Sequence, residues 1–595
     1  METIIKRSPG MGCIIDEGLT TFRVWAPNAE KIFVTGTFNE WNAEDLELEH
    51  EENGYWAGTT DKAKQGDEYK YIIHNNGETF YRNDPYAFEL TNSDGNSVIR
   101  DLNFDFGDDQ YQLPSFNQLV IYELHVGTFN RKSADTVGTF EDVIEKLDYL
   151  KNLGINCIEL LPVAEFPGGE SWGYNPAHPF AIEQDYGGPN GLANLVKAAH
   201  KHGIGVIMDV VYNHFGPSDM DLWQFDGWSQ NDKGGIYFYN DHRSKTPWGD
   251  TRPDYGREEV RQYLRDNALM WIEKYRCDGL RMDATSYIRF EGGGLGEDTA
   301  IEEGNQMMRE INAEIQEKYP HMITIAEDLK GHDMVTDTIE NGGIGYGSQW
   351  DMNFVHPVRE VLTDTHDDSR DLEKIAGALQ FVQSNDAFKR IIYTESHDEV
   401  ANGKARVPEE VQPGDAESAF AKKRALLGIV LTLTAPGIPM LFQGQEFMED
   451  SYFQDTVELN WEKLERHQGI SRLVSDLIKI RTGEIAGYEG LRQQAIEIIH
   501  LNNDSKVLAY LRGDENSKVL IVINFSNTDY TEYNLDLAEQ SNWKLRLNTV
   551  AKEYDDDFSE MEVHDPEIHA ESKEQANTGT FEIPGYSALI FIQES

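Results

Sequence analysis

REEVRQYLRDNALMWIEKYRCDGLRMDA, residues 257–284, sets two kinds of pattern side by side. Val260, Tyr263, Leu264, Trp271 and Tyr275 recur at helical spacing. DGLRMDA then forms a short apolar run ending in charge, which reads as a strand buried on both faces. A helix that feeds straight into such a strand is half of a βα repeat. The run recurs as LVIYELHV (119–126), CIELLPV (157–163), GVIMDVVYN (205–213), DGLRMDA (278–284), ITIAEDL (323–329), SQWDMNF (348–354), RIIYTESHD (390–398) and IPMLFQGQE (438–446). Between the first two, GTFEDVIEKLDYLKNLG (138–154) predicts one helix, capped by Thr139 and stopped by Gly154. Eight strand-like runs alternating with helices favour an α/β fold of the closed (β/α)8 TIM-barrel kind over an open doubly wound sheet.

Outside this block the pattern changes to short alternating runs broken by turns. TTFRVWAP, KIFVTGTF, GYWAGTT, EYKYIIH and FYRNDPYAF read as an N-terminal β-sandwich, and AIEIIHL, KVLAYLRG, KVLIVINFS and YSALIFIQE as a C-terminal antiparallel β-sandwich. The expected domains are 1–110, 111–484 and 485–595. Trp25, Trp41, Trp56 and Tyr71 would suit either the sandwich core or a sugar-stacking face, and the core reading is preferred. KEYDDDFSEMEVHDPE (552–567) is too polar for a core strand and is expected to be a solvated loop.

The charge balance is 52 Lys+Arg against 105 Asp+Glu, a net −53. Such a field repels phosphate backbones and anionic headgroups, so nucleic acid and membranes are poor partners. With 39% hydrophobic and 11% aromatic residues, the chain nevertheless has enough to fill a large core. Cys13, Cys157 and Cys277 are too scattered for a disulfide framework or a zinc site. No signal-type or membrane-spanning run is evident, so a cytoplasmic protein is expected, and a monomer is taken as its state.

Barrel enzymes carry their chemistry at the C-terminal strand ends. Here the third run ends in Asp209, Asn213 and His214, the fourth in Arg281 and Asp283, the fifth in Glu327 and Asp328, and the seventh in His397, Asp398 and Glu399. So many acids at one rim would repel each other in a purely structural barrel. Any one of these Asp residues alone would more often be a helix cap, and an Arg-x-Asp pair alone a structural ion pair. Their joint occurrence on successive strands points to a site. Neighbouring strands lie about 4.8 Å apart, so Asp283 and Glu327 would sit at the short separation that retaining glycosidases use, about 5 to 5.5 Å. Arg281 would keep Asp283 ionised, and the Asp283 charge would raise the pKa of Glu327. Asp209, Asn213 and His214 could form a metal site, but one histidine and two oxygen ligands from a single segment favour no particular ion; neither a metal nor a cofactor is assigned.

DVVYNH (209–214), GLRMDATSYI (279–288), IAED (325–328) and ESHDE (395–399) resemble the four signature regions of the α-amylase superfamily, glycoside hydrolase family 13. The resemblance runs from about residue 18 to the end. It implies that Asp283 is the nucleophile, Glu327 the general acid/base and Asp398 the transition-state stabiliser, with Tyr174, Asp209, His214, Arg281 and His397 binding substrate. It also makes the N-terminal sandwich similar to carbohydrate-binding module family 48, and implies an α-1,4-glucan (glycogen, amylose or maltooligosaccharide) as the partner. SHDEVANGK (396–404) and the stretch 248–284 look like the family's branching members, which transfer a cut fragment to a 6-hydroxyl. DVVYNHFGP (209–217) and GYNPAHPFAIEQDYGGP (173–189) look closer to its trehalohydrolases and amylases, so hydrolysis is the alternative. A glucan-binding scaffold with a dead barrel is disfavoured by the intact Arg281, Asp283, Glu327 and Asp398.

Overall fold

Eight parallel strands close on themselves in the computed structural model, which describes residues 10–294, 298–537, 542–569 and 577–594. The first nine residues, read above for a leader, lie outside the described residues. The barrel strands are β1 (Ile121–Leu124), β2 (Cys157–Leu160), β3 (Gly205–Val210), β4 (Gly279–Met282), β5 (Ile323–Ala326), β6 (Ser348–Trp350), β7 (Arg390–Ile392) and β8 (Ile438–Phe442). Each falls within one of the apolar runs, and β1 pairs with β8 through Ile121 and Met440 to complete the ring. Ile121, Cys157, Ile207, Ile323, Ile391 and Ile438 fill the barrel interior and are fully buried. Each such side chain stabilises the fold by about 2 kcal/mol. Because side chains alternate along a strand, the residues two further on, Glu123, Glu159 and Asp209, also face inward, one layer nearer the C-terminal rim.

The helix expected over 138–154 is two helices, Phe140–Ile144 and Leu147–Leu153. Thr139 and Asp142 form a reciprocal capping box, and Gly154 ends the second helix at φ 102°. The break falls at Lys146, whose ammonium lies 3.7 Å from the Trp461 ring centroid. The helix before β4 spans Glu258–Glu273 and buries Val260, Tyr263, Leu264 and Trp271 against the barrel.

The N-terminal strands form two sheets, one around Leu19–Trp25 and Tyr55–Thr60, the other around Lys31–Gly36 and Glu68–Asn75. Trp25, Trp56 and Tyr71 are buried in their core, which leaves Trp41 as the exposed ring of the four. The C-terminal domain pairs a five-stranded sheet, Ile496–Asn502 to Ala588–Glu594, with a three-stranded one. The stretch 552–566 is a loop, but not a freely solvated one. Asp555 and Asp557 lie 2.8 and 2.9 Å from the buried Lys422 ammonium of the barrel helix Ala419–Thr434, and Phe558 is buried. Among the described residues, no helix is long and apolar enough to cross a membrane.

Candidate active site

The register of the barrel sets the site. Asp209 on β3 lies opposite Arg281 on β4, and Met282 opposite Ala326 on β5, so Asp283 and Glu327 leave neighbouring strands at one level. Arg281 is the hub and has no exposed surface. Its Nη1 donates to Asp209 Oδ2 at 2.6 Å and to Asp283 Oδ1 at 3.0 Å, and its Nη2 lies 2.8 Å from Glu327 Oε2. The Trp350 ring packs against the guanidinium, 4.4 Å from centroid to Cζ. One cation thus fixes the spacing of three carboxylates that would otherwise repel. The sequence reading gave Arg281 to Asp283 alone, but the shorter bond goes to Asp209.

Asp283 has a second donor. Asn213 Nδ2 reaches its Oδ2 at 2.6 Å and its carbonyl at 2.8 Å, while Asn213 Oδ1 faces His214 Nδ1. The amide that could have been read as a metal ligand thus gives its nitrogen to Asp283 and turns its oxygen to His214. Glu327 Oε2 accepts the Ala284 N–H at 2.8 Å. Ala284 adopts φ 40°, a left-handed conformation uncommon for a residue with a Cβ, and this turns its N–H toward the acid. Burial pushes the Glu327 carboxyl up to about 8; Arg281 opposes the shift, and Asp283 and Asp398 add to it. Desolvation is therefore the leading cause, ahead of the Asp283 charge that the sequence suggested.

His397 stands over the other side of the site. Its backbone N–H and Nδ1 meet the two oxygens of Glu123 at 3.1 and 2.6 Å. Burial lowers its pKa, but Glu123 and Asp398 outweigh that and carry it up to about 9, so the ring is cationic at neutral pH. Tyr174 stacks on it at 4.9 Å and 20°, and its hydroxyl donates to Asp209 at 2.6 Å. Gly173 allows this approach, because a Cβ there would meet the Pro162 carbonyl at 2.1 Å. Asp209 itself is buried, its carboxyl pushed up to about 7 chiefly by burial, and it reaches the site through Tyr174 and Arg281. His214, held near pKa 4 by burial, is neutral. Asp398 differs from the other acids: its side chain is 47% exposed and its nearest cation, His397 Nε2, is 3.8 Å away. That leaves its oxygens open to hydroxyls.

All eight residues singled out in the sequence belong to this one connected set. The remaining acids of the same motifs are structural: Asp328 pairs with Arg289 at 2.6 Å, Glu395 with Arg406 at 3.0 Å and Glu399 with Lys404 at 3.0 Å. Glu123, Trp350 and the role of Asn213 escaped the sequence reading, since each acts across strands distant in sequence.

Residues 10–87 match carbohydrate-binding module 48 (isoamylase N-terminal domain), 123–224 and 217–481 the α-amylase catalytic domain, and 498–594 the α-amylase C-terminal all-β domain. The 1,4-α-glucan branching enzyme of Salinibacter ruber is 30% identical over 91% of this chain and 90% of its own length. That of Aquifex aeolicus is 32% identical over 90% and 87%, and that of Bacillus subtilis 30% over 90% and 86%. In fold, the chain is similar to a putative α-amylase from Salmonella typhimurium (TM-score 0.74, 21% identity, 99% of this chain and 100% of that one). It is similar also to the pullulanase of Anoxybacillus sp. LM18-11 complexed with maltotetraose (TM-score 0.75, 21% identity, 99% and 88%). With all three domains matched in order and relatives of this similarity over nearly its whole length, the chain belongs to the α-amylase family, glycoside hydrolase family 13, among its 1,4-α-glucan branching enzymes.

Proposed function

We propose that the chain cuts an α-1,4 glucan with retention and transfers the fragment to a 6-hydroxyl, with Asp283 as nucleophile and Glu327 as acid/base. The retaining cut rests on the single buried guanidinium of Arg281 spanning both carboxylates, beside a Glu327 that burial pushes up to about 8, and transfer rests on the similarity to branching enzymes 30 and 32% identical over 91 and 90% of the chain. Asp283 bonds the anomeric carbon as Glu327 gives its proton to the departing 4-oxygen. The acceptor's 6-oxygen then bonds that carbon, its proton passes to Glu327, and the Asp283 ester bond breaks. Asp398, His397 and His214 hold the hydroxyls of the reacting sugar, and Tyr174 stacks under it. Asp209 acts through Tyr174 and Arg281. The enzyme works as a monomer in the cytoplasm on glycogen-like neutral glucan, where a negative surface is no hindrance.

Incubation with amylose tests the reading by iodine colour, reducing ends and α-1,6 signals in NMR. Falling colour and new α-1,6 linkages without a matching rise in reducing ends are expected; a proportional rise in reducing ends overturns transfer in favour of hydrolysis. Asp283→Ala is expected to abolish activity, a loss of at least ~10⁴-fold, with its melting transition retained. Substantial residual turnover would reject the nucleophile.

A further inference from the structure

The sequence reading did not single out Trp248. It is 43% exposed, one of the few large apolar side chains in the described structure left open to solvent. Exposure alone means little, but this ring is held at the site. It lies parallel to the His214 ring, 4.5 Å away and inclined by 14°, and meets Tyr287 edge-on at 5.1 Å and 73°. Its backbone is fixed as well. The Trp248 N–H donates to Thr246 Oγ1 at 3.2 Å, that hydroxyl donates to the Gly249 carbonyl at 3.0 Å, and Gly249 sits at φ 147°. Two residues on, Thr251 ties the turn back beside His214: its Oγ1 donates to the Phe215 carbonyl at 2.7 Å, and the Phe215 N–H to the Thr251 carbonyl at 3.2 Å. A platform held this way loses little conformational freedom when a ligand stacks on it.

Its side of the site follows from the acid. Tyr287 belongs to the short helix Thr285–Arg289, which starts on the backbone of Glu327: the Thr285 N–H and Oγ1 both donate to the Glu327 carbonyl, at 2.8 and 2.9 Å. Trp248 is thus linked, through Tyr287 and the start of its helix, to the strand end that carries Glu327. The Tyr174–His397 stack instead stands with Glu123 of β1. The group that leaves and the group that later accepts both occupy the face served by the acid. We infer that Trp248 is the stacking platform for the acceptor glucan, and that it biases the covalent intermediate toward a sugar hydroxyl over water. This rests on the transfer reading above for its second half, and on the carboxylate assignments for its first.

The two halves separate in experiment. In the Asp283→Asn background, which should bind without turnover, maltoheptaose titrated by calorimetry should bind roughly tenfold more weakly once Trp248→Ala is added, and Trp248→Phe should restore most of the loss. In the otherwise unmodified enzyme, Trp248→Ala should raise the ratio of new reducing ends to new α-1,6 linkages by roughly tenfold, and raise KM for an added acceptor more than it lowers kcat. Unchanged binding overturns the platform. A fall in all rates with an unchanged ratio also overturns it, leaving Trp248 as packing for His214. If the unmodified enzyme forms no α-1,6 linkages, the transfer reading fails and the acceptor half with it, while the binding arm still decides whether Trp248 carries sugar.

Discussion

Glu327 and Asp283 are both carboxylates beside one arginine, and what separates their roles is how each is held. Asp283 receives donors from Arg281 and Asn213 on its two oxygens, whereas Glu327 receives a backbone N–H on the same oxygen that faces Arg281 and is otherwise desolvated. A carboxyl raised to about 8 supplies a proton across the neutral range and fails above it. The kcat/KM of the enzyme is therefore expected to fall on the alkaline side with an apparent pKa near 8; a plateau extending well beyond that value would show that Glu327 is not the acid. Stability carries the same signature. The folded carboxyl keeps its proton to about 8 while the unfolded one releases it near 4.5, so the native state binds the extra proton between these values and stability declines as pH rises through that window. Asn213 offers a sharper test, because its amide makes two bonds to Asp283. Asn213→Ala should lower kcat/KM by about 10- to 100-fold, the loss of ~1.5–3 kcal/mol expected for donors to a charged group, with little change in KM. At this scale the Arg-x-Asp pair was legible because alternation puts both residues on one side of a single strand. The service of Asn213 to Asp283 was not, since it crosses from β3 to β4 and depends on the register Asp209 opposite Arg281.

At the level of elements, the repeating helix–strand pattern was enough to place every barrel strand, because a buried parallel strand must be apolar nearly throughout. Boundaries inside helices were harder. The periodicity of 138–154 continues through the break at Lys146, since Leu147 and Leu150 still bury, and periodicity reports burial of a face, not continuity of the backbone. A second cross-element feature had no sequence signal. His200, in the last turn of helix Gly188–His202, bridges Asp109 at 2.6 Å and Asp278 at 3.0 Å and stacks on Tyr111 at 4.6 Å, clasping the segment that leads into the barrel against the start of β4. Burial lowers the His200 pKa, but the two carboxylates reverse this and raise it overall. A histidine whose folded pKa is raised stabilises fully below its unfolded value of 6.5, and loses that contribution as pH climbs through the folded value. His200→Ala should thus cost about 2 kcal/mol at pH 6, and the gap to the unmodified protein should narrow on going to alkaline pH. Denaturant melts of both proteins across that range would show it, and a gap constant with pH would mean that the clasp works through packing alone.

For the molecule as a whole, the excess of acid is what sequence reading left least resolved, because composition does not say which charges meet a partner. Some acids in strongly acidic segments hold domains together. In THDDSRD, Asp367 accepts from the Tyr586 hydroxyl at 2.5 Å and from the Asn527 N–H at 2.8 Å, while Lys506 donates to the carbonyls of Asp368 and Arg370 at 3.1 and 2.7 Å. YDDDFSE does the same through Lys422. These contacts join the C-terminal sandwich to the barrel, and the Lys422–Asp555 pair among them is largely buried. The net −53 nonetheless exceeds what such pairs can use, since pairing a carboxylate with a lysine leaves the net charge unchanged. Apart from buried acids such as Glu159 and Glu446, the excess lies on surfaces where like charges repel through water, and that repulsion destabilises the compact state. Raising potassium chloride from about 0.05 M to about 1 M shortens the screening length from roughly 14 Å to roughly 3 Å, which should relieve the repulsion while leaving the largely buried Lys422–Asp555 pair nearly intact. The melting temperature is therefore expected to rise by a few degrees with chloride salt, with activity on neutral glucan retained. Chloride is the right probe, because sulfate would strengthen apolar burial by itself. A melting temperature that stays flat, or falls, would mean that surface ion pairs already offset the repulsion and that salt chiefly weakens them. The acidic surface would then serve solubility alone.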